Sequence, residues 1–506
     1  MPAADLLLGR VPAGPCGTHG RFKVGQAAAC CEVEVFVALG HGPAGGMVEG
    51  LGSVGATLAE ARRVFALQSA YKWLAKTSSV NERKEHLRRL RDEVVRRSAD
   101  IERAIITDLP QPPSRDVPRE VGFLCGAIDQ TLEELEVWAR PVKVEPSADL
   151  RGTEPSIVYE ARGVCLIFGP WNLPFHLLFE PTVAALAAGN TAIVKPNSLT
   201  PATARVIGEI VQAVFEERLV AAFEGDDSVA DVLLDLPVDH IFFTGSPAVG
   251  KVIMAAAARH LASVTLELGG KSPAIVDGTH DLAESARIVA DGRHTNGGQM
   301  CFAVDYVWVR REVLEPFLAH YNAWVDENLY SDGRLNPASM TRIVNERNLE
   351  RVLSMVEDAR ARGARVVRGG GRASGYRQLI EPTVVLDAPL DSMIMTQEIF
   401  GPVLPVQTFV DPAEVLSQIQ AGPKPLAMYI YSDDDAFVTT MLAGTSSGGV
   451  TVNGFASHVA EYRIPFGGVN NSGTGRRYHG IHGFREFSNP RSVVRVITTT
   501  DAASGS

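Results

Sequence analysis

Cysteine is scarce in this sequence, which has six such residues among 506: Cys16, Cys30, Cys31, Cys125, Cys165 and Cys301. So few cysteines in so long a chain do not form the disulfide framework of a small secreted domain. Their spacing matches no zinc-binding pattern, so no metal site is predicted. A reducing, cytoplasmic location is therefore expected.

The sequence also lacks an excess of basic residues and long apolar runs. Lys and Arg number 48 against 59 Asp and Glu, giving a net charge of −11. Binding to phosphates requires a basic face, so no nucleic-acid partner is expected. No apolar run approaches the roughly 18 residues that a membrane-spanning helix requires, so no membrane association is expected. A chain of 506 residues predicts two or three domains.

The first 50 residues differ from the rest in composition. Gly, Ala and Pro dominate them, and Gly42-Pro-Ala-Gly-Gly46 is a cluster of residues that interrupt helices and strands. We therefore predict that residues 1–50 form a poorly ordered extension. The change in composition also leads to the hypothesis that Met47 is the native start.

Helical patterns follow from about residue 51. Ser79-Val-Asn-Glu82 is a capping box at the start of a helix. The apolar stripe after this box runs through Leu87, Leu90 and Val94 to Ile105, which predicts one continuous helix. Further helices are predicted near residues 56–74 and 120–138.

From residue 156 onward, strands alternate with helices. Gly163–Phe168, Gly189–Val194 and Asp239–Phe243 are apolar runs typical of strands buried on both faces. Their alternation with helical segments predicts an α/β fold with a doubly wound parallel sheet.

Two segments flanked by glycines present groups suited to covalent chemistry. Glu267 precedes Leu-Gly-Gly-Lys, and Cys301 follows Gly298-Gln-Met, 34 positions later (301 minus 267). A cysteine thiol is a strong nucleophile, and a carboxylate can serve as general base toward water. Taken singly, the cysteine also fits a small buried hydrophobe, and the glutamate fits a solvated strand end.

Other polar residues follow predicted strands. Asn172 lies between two prolines and is a candidate hydrogen-bond donor to an oxyanion, although turns also favour Asn. Lys195 ends a predicted strand, where open α/β sheets bind ligands. Thr244-Gly245-Ser246 followed by Gly250 joins a strand to a helix and predicts an anion site at the helix N-terminus.

Between about Ala56 and Ile497 these motifs resemble the aldehyde dehydrogenase superfamily. The ending Tyr478-His-Gly…Gly-Phe…Phe-Ser488 resembles its class 3 branch, which includes fatty and coniferyl aldehyde enzymes. The resemblance implies that Cys301 attacks an aldehyde, forming first a thiohemiacetal and then a thioester. It implies that Glu267 activates the water that releases a carboxylic acid. Asn172 and the Cys301 N–H would stabilise the oxyanion.

The resemblance also implies a cofactor, NAD or NADP. The residues expected to bind it are Lys195, Gly245, Ser246, Gly250, Leu268, Glu398 and Phe400. The family usually has Glu at the fourth position of Lys-Pro-Ser-Glu, whereas this chain has Ser198, so both NAD and NADP stay open. The expected substrate is a medium-chain aliphatic or aromatic aldehyde.

By the same resemblance, the chain divides into several domains. Residues 51–144 and 158–266 form an NAD(P)-binding domain, residues 267–452 a second α/β catalytic domain, and residues 476–506 a C-terminal tail. Residues 145–157 and 453–475 form a small β oligomerisation arm, which implies a homodimer. Two alternatives remain open: an aldehyde dehydrogenase that acylates coenzyme A, and a non-redox thiol esterase or structural protein on the same scaffold.

Overall fold

The structure is a computed structural model that describes residues 49–109, 117–475 and 478–497. Residues 1–48 of the predicted extension lie outside the described residues, and the hypothetical start at Met47 is among them. Among the described residues, no helix combines the length and apolar character needed to cross a membrane.

The strands are, in chain order, β1 (Val142–Lys143), β2 (Thr153–Ala161), β3 (Val164–Phe168), β4 (Thr191–Lys195), β5 (Val220–Ala222), β6 (His240–Thr244), β7 (Ser263–Glu267), β8 (Pro273–Val276), β9 (Tyr306–Arg310), β10 (Tyr330–Ser331), β11 (Arg334–Leu335), β12 (Arg365–Arg368), β13 (Thr383–Leu386), β14 (Val403–Phe409), β15 (Ala427–Tyr431), β16 (Gly449–Val452), β17 (Gly473–Thr474) and β18 (Ser488–Val496).

The α-helices are α1 (Glu49–Thr77), α2 (Val80–Arg96), α3 (Ser98–Asp108), α4 (Val117–Trp138), α5 (His176–Ala187), α6 (Pro201–Val214), α7 (Asp227–Leu234), α8 (Pro247–Ala258), α9 (Leu282–His294), α10 (Leu314–Leu329), α11 (Glu346–Ala361), α12 (Met393–Thr396), α13 (Pro412–Ala421), α14 (Asp435–Gly444), α15 (Ser457–Ala460) and α16 (Gly480–Glu486).

The first sheet has the strand order β17-β7-β6-β3-β4-β5, and all its pairs are parallel except β17 with β7. Helices connect its parallel strands, as the alternating pattern predicts. In register, Phe168 faces Lys195, and Thr244 faces Glu267. The carboxyl ends of β4, β6 and β7 therefore meet at one edge of the sheet, where ligands bind in open α/β folds.

The second sheet has the order β12-β13-β14-β9-β8-β15-β16, with only the β12–β13 pair antiparallel. A third, antiparallel sheet consists of β1, β2 and β18, with nine residue pairs between β2 and β18. Two parallel-sheet α/β units with a small β sheet confirm the predicted fold class. The domain boundaries stay a prediction.

The structure differs from the predicted elements at one helix, and it shows a helix and a strand in the C-terminal segment. Ser79 caps α2 with both bonds of the predicted capping box. The single helix predicted to reach Ile105 is wrong, because Arg97 (φ −103°, ψ 12°) separates α2 from α3 while both helices keep buried apolar faces. The described part of the predicted C-terminal tail contains α16 and β18.

Candidate active site

A cavity of about 540 Å³ lies at the carboxyl end of β7. Its lining includes Glu267 and Leu268 from the end of this strand, and Met300, Cys301 and Phe302 from the segment after α9. The structure thus brings the predicted base and the predicted nucleophile to one cavity, although 34 positions separate them in the chain.

Glu267 is the last residue of β7 and is buried. Its carbonyl oxygen accepts a hydrogen bond of 3.0 Å from the Gly245 N–H. This bond joins the predicted base to the predicted phosphate-binding turn. The two motifs are neighbours because β6 and β7 are adjacent parallel strands.

Cys301 is half-buried at the cavity. Burial raises the pKa of its thiol, and the negative charges of Glu398 and Glu267 raise it further. The N–H groups of Cys301 and Phe302 act in the opposite direction, since they stabilise the thiolate. In this environment the thiol is protonated near neutral pH, so its proton must leave when the sulfur attacks.

The cysteine follows a turn with unusual backbone geometry. Asn296, Gly297 and Gly298 have consecutive positive φ values of 52°, 62° and 76°. Gln299 then anchors the turn: its Nε2 donates to the carbonyls of Asn296 (3.1 Å) and Arg342 (3.0 Å). These bonds set the direction from which the chain enters Cys301.

Asn172 lies against the same turn and is buried. Its side-chain Nδ2 donates to the Gln299 carbonyl at 3.0 Å, and Asn296 Nδ2 donates to the Asn172 carbonyl at 3.1 Å. An amide nitrogen has two hydrogens, so one donor position of Asn172 is not used by this bond. The structure therefore brings the predicted oxyanion donor to the cysteine turn.

Sequence reasoning missed Arg293, which is fully buried in the last turn of α9. Its guanidinium donates to the carbonyls of Gly298 and Val304, both at 2.8 Å, and therefore spans the cysteine segment. Asp305 pairs with it at 3.2 Å. A basic residue in a last helical turn usually indicates only an interaction with the helix dipole, so the sequence carried no signal for this role.

The predicted phosphate site lies at the turn from β6 to α8. Gly245 precedes Ser246, which caps α8 by accepting from the Val249 N–H at 3.4 Å. A Cβ atom at Gly250 would lie 3.1 Å from the Leu268 side chain, so glycine permits α8 to pack closely on the end of β7. Leu268 thus connects this turn to the cavity that it also lines.

Lys195 ends β4 and is buried. Its ammonium donates to the carbonyls of Gly225 (2.6 Å) and Pro196 (3.1 Å). Burial lowers its pKa, while Asp227 and Asp226 act to raise it. Lys195 does not line the cavity, but its strand end lies on the same edge of the sheet as the Gly245 turn.

Glu398 lies against Gly269, and Phe400 lies against Trp171. The Glu398 carboxylate packs against Gly269, where a Cβ atom would clash with both of its oxygens. Burial raises the pKa of Glu398 to about 8, and the charge of Asp305 adds to this effect. The Phe400 ring contacts Trp171, with 5.5 Å between ring centroids.

The residues present fit a nicotinamide dinucleotide. Within the described residues, the buried Oε1 of Glu398 has no hydrogen-bond partner, although it lies close enough to Cys301 to affect the pKa of the thiol. A buried acceptor of this kind suits a ligand hydroxyl group. The Gly245 turn at the start of α8 suits a diphosphate. In the part of the chain that the structure describes, no group of three or more His, Cys, Asp or Glu is arranged to hold a metal ion.

Comparisons with known proteins agree with this geometry. The model of the aldehyde dehydrogenase family matches residues 53–493. AldX of Bacillus subtilis strain 168 is 41% identical, with 85% of this chain and 97% of that protein aligned. A mouse "Aldehyde dehydrogenase, dimeric NADP-preferring" is 35% identical over 84% of this chain and 93% of its own length.

The solved structures agree as well. Staphylococcus aureus AldH in a substrate-bound state superimposes with a TM-score of 0.81 at 34% identity, covering 87% of this chain and 94% of that chain. Relatives with 37% identity include a family 3 member from Arabidopsis thaliana, which supports the class 3 branch. The chain therefore belongs to the aldehyde dehydrogenase family, and it is an NAD(P)-dependent enzyme that oxidises aldehydes.

Proposed function

We propose that Cys301 is the nucleophile of aldehyde oxidation and that Glu267 is the base that completes the reaction. The observation that carries this proposal is their presence in one cavity beside the Gly245 turn. The cysteine sulfur adds to the aldehyde carbon, and the proton of the thiol passes to solvent as the carbon–sulfur bond forms and the carbonyl oxygen becomes an oxyanion. The product of this step is a thiohemiacetal.

Two donors stabilise the oxyanion that forms during this addition. One is the Cys301 N–H, which acts to stabilise negative charge at the sulfur. The other is Asn172 Nδ2, which is held at the cysteine turn by its bond to the Gln299 carbonyl. A preorganised donor of this kind lowers a reaction barrier by about 3 kcal/mol.

NAD(P), when bound, supplies the acceptor for the hydride that the thiohemiacetal loses. We propose that Lys195 and Glu398 hold its two riboses, that Gly245, Ser246 and Gly250 hold its diphosphate, and that Leu268 and Phe400 contact it. The buried Oε1 of Glu398, which has no hydrogen-bond partner in the described part of the chain, supports this assignment.

Hydrolysis then releases a carboxylic acid. Glu267 takes a proton from water, and the resulting hydroxide attacks the thioester carbon, freeing the Cys301 sulfur. The presence of a buried carboxylate in the cavity supports hydrolysis over acyl transfer to coenzyme A.

The Glu267→Gln variant tests this assignment. We expect a burst of reduced cofactor close to one per active site, followed by steady turnover lowered by about 100-fold or more, because a positioned general base contributes 10²–10⁴-fold. Rapid-mixing absorbance of reduced nicotinamide measures both phases, and Cys301→Ser is the control without a burst. Full steady turnover in Glu267→Gln would refute the role, and loss of the burst would instead make Glu267 the activator of Cys301.

We propose neutral medium-chain aliphatic or aromatic aldehydes as substrates. The cavity is lined mainly by apolar and aromatic side chains, among them Leu173, Leu177, Phe302, Phe455 and Phe466. Such a lining favours the burial of a hydrocarbon body.

We also propose a homodimer in the cytoplasm. A relative is named as dimeric, and β18 exposes Val493, Val494 and Val496 at an edge of the small sheet. The cytoplasmic location is supported by Cys125, Cys165 and Cys301, which are free thiols.

A further inference from the structure

A cluster of polar side chains lies beside the cavity and takes no part in the mechanism above. His176, Tyr462 and His479 line the cavity, whereas Glu180 lies behind them. His176 and Glu180 belong to α5, and the other two residues come from the segments before and after β17. The cluster therefore joins two separate parts of the cavity wall.

The buried Glu180 carboxylate lies between two imidazole rings. Nε2 of His176, one helical turn earlier, lies 2.9 Å from one carboxylate oxygen, and Nε2 of His479 lies 3.3 Å from the other. Burial acts to raise the pKa of Glu180, but its interactions with His479 and His176 outweigh burial and lower it. The carboxylate is therefore charged, and each of its oxygens lies within contact distance of one ring nitrogen of a histidine.

The two histidine rings in turn contact aromatic side chains of the cavity wall. The Tyr462 ring stacks on the His479 ring, with 4.5 Å between centroids and 28° between planes. The Phe123 ring lies 5.6 Å from the His176 ring. Both Phe123 and Tyr462 line the cavity, so the orientation of the histidine rings sets the shape of this wall.

His479 has an unusual backbone conformation, and its ring is surrounded mainly by aromatic side chains. Its φ is 83°, in the left-handed region that non-glycine residues rarely adopt. The flanking contacts of the ring are aromatic faces and edges, from Tyr462, Phe466 and Tyr478. Stacking on aromatic faces allows the His479 ring to shift within its own plane. The contact with the Glu180 carboxylate instead fixes the position of its Nε2 atom.

We propose that Glu180 is a positioning residue that determines which aldehydes the cavity accepts. By fixing the His176 and His479 rings, it holds Phe123 and Tyr462 in place as a rigid aromatic wall. An aromatic aldehyde needs this wall, because its flat ring packs against other rings only at defined distances and angles. A straight aliphatic chain has rotatable bonds and adapts to a displaced wall. Glu180 thus favours aromatic over aliphatic aldehydes.

The inference rests on the proposed function, since the aldehyde must reach Cys301 through this cavity. The test is Glu180→Gln, which keeps the side-chain size but removes the negative charge between the two rings and places an NH₂ group opposite one ring nitrogen. Steady-state kinetics with benzaldehyde and hexanal at saturating cofactor measure the effect. We expect KM for benzaldehyde to rise about tenfold, the lower end of what one pocket contact contributes. KM for hexanal and both kcat values stay within about twofold of wild type, because the reacting groups are untouched.

Glu120→Gln is the matched control. Glu120 is also a buried glutamate, and its carboxylate accepts from the N–H groups of Phe175 (2.9 Å) and His176 (3.0 Å) at the start of α5. Its substitution perturbs the same helix without removing the anion between the rings. We expect the ratio of the two KM values to stay at the wild-type value, and thermal unfolding checks that each variant folds.

Variants of Tyr462 test the route from Glu180 to the wall. Tyr462→Leu removes the stacking and should reproduce the rise in KM for benzaldehyde, whereas Tyr462→Phe keeps the stacked ring and should raise KM less than Tyr462→Leu does. In Glu180→Gln combined with Tyr462→Leu, the rise should not exceed that of Tyr462→Leu alone. The inference would be overturned if the two substitutions raised KM for benzaldehyde additively, if KM changed equally for both aldehydes, or if Tyr462→Leu kept the wild-type KM.

Two outcomes separate this inference from the proposed function. If the wild-type enzyme oxidises neither aldehyde, the proposed function fails. If it oxidises both aldehydes and the ratio of their KM values is unchanged in Glu180→Gln, only this inference fails.

Discussion

The Cys301 thiol lies near two carboxylates, and this placement has a measurable consequence. Its pKa is raised by burial, by Glu398 and by Glu267. The reactive thiolate is therefore a small fraction at neutral pH and increases as the pH rises. A nucleophile held in this form resists oxidation and alkylation until a substrate and a base are both in place.

Alkylation by iodoacetamide measures this pKa. We expect the rate at Cys301 in the cofactor-free enzyme to increase steadily from pH 7 to pH 9.5. Glu398→Gln removes a neighbour that is negatively charged above its pKa of about 8 and so lowers the thiol pKa. Alkylation at pH 9.5 therefore becomes faster, by about tenfold for each unit by which the thiol pKa falls. Mass spectrometry of the Cys301 peptide separates it from Cys125 and Cys165. A slower or unchanged rate in Glu398→Gln would contradict the electrostatic account.

At the scale of elements, the sequence predicts the positions that follow from local patterns. Lys195 is predicted at a strand end and ends β4, because a buried parallel strand is a continuous apolar run that a polar residue then terminates. The break at Arg97 was not predictable, because α2 and α3 both keep apolar residues at helical spacing on either side of it.

Contacts between distant segments carried no local signal. Glu180 and His479 are separated by about 300 positions, and each alone fits an ordinary structural residue. The pairing of β2 with β18 likewise joins residues 153–161 to residues 488–496. The resemblance to a family supplied the pairing of Glu267 with Cys301, but it did not supply these contacts, which depend on side chains packed in three dimensions.

The turn before Cys301 permits a test of an element as a whole. Gly298 has φ 76°, and a Cβ atom there would clash with the Arg293 guanidinium and the Gly401 carbonyl. We expect Gly298→Ala to lower kcat/KM by about 100-fold, because a displacement of about 1 Å at the reacting group has an effect of this size. Positive φ adds strain of about 1–3 kcal/mol.

Gly375→Ala is the control for backbone strain alone. Gly375 has a similar φ of 81°, but a Cβ atom there meets open space. This variant should lose stability in thermal unfolding yet keep wild-type kcat/KM. Comparable loss of activity in both variants would mean that the turn contributes stability and not the position of Cys301.

At the scale of the whole molecule, the small antiparallel sheet is the surface that we expect to join two copies. β18 is an edge strand of this sheet: it pairs with β2 along nine residues on one side, and on its other side it pairs with no strand of the described residues. Val494 and Val496 are 53% and 68% exposed along this strand. An edge strand with exposed apolar residues favours pairing with another chain, and natural proteins usually protect such edges with charge.

Charge introduced at this edge should therefore separate the subunits. We expect wild type to sediment as a dimer and the Val494→Lys/Val496→Lys variant as a monomer, because two buried ammonium groups facing their symmetry copies are strongly unfavourable. Val367→Lys is the matched control, since Val367 is 47% exposed on β12, the edge strand of the second sheet. Sedimentation velocity at micromolar concentration distinguishes the species. A wild-type monomer would refute the homodimer, and a dimer that survives the double substitution would place the interface on another surface.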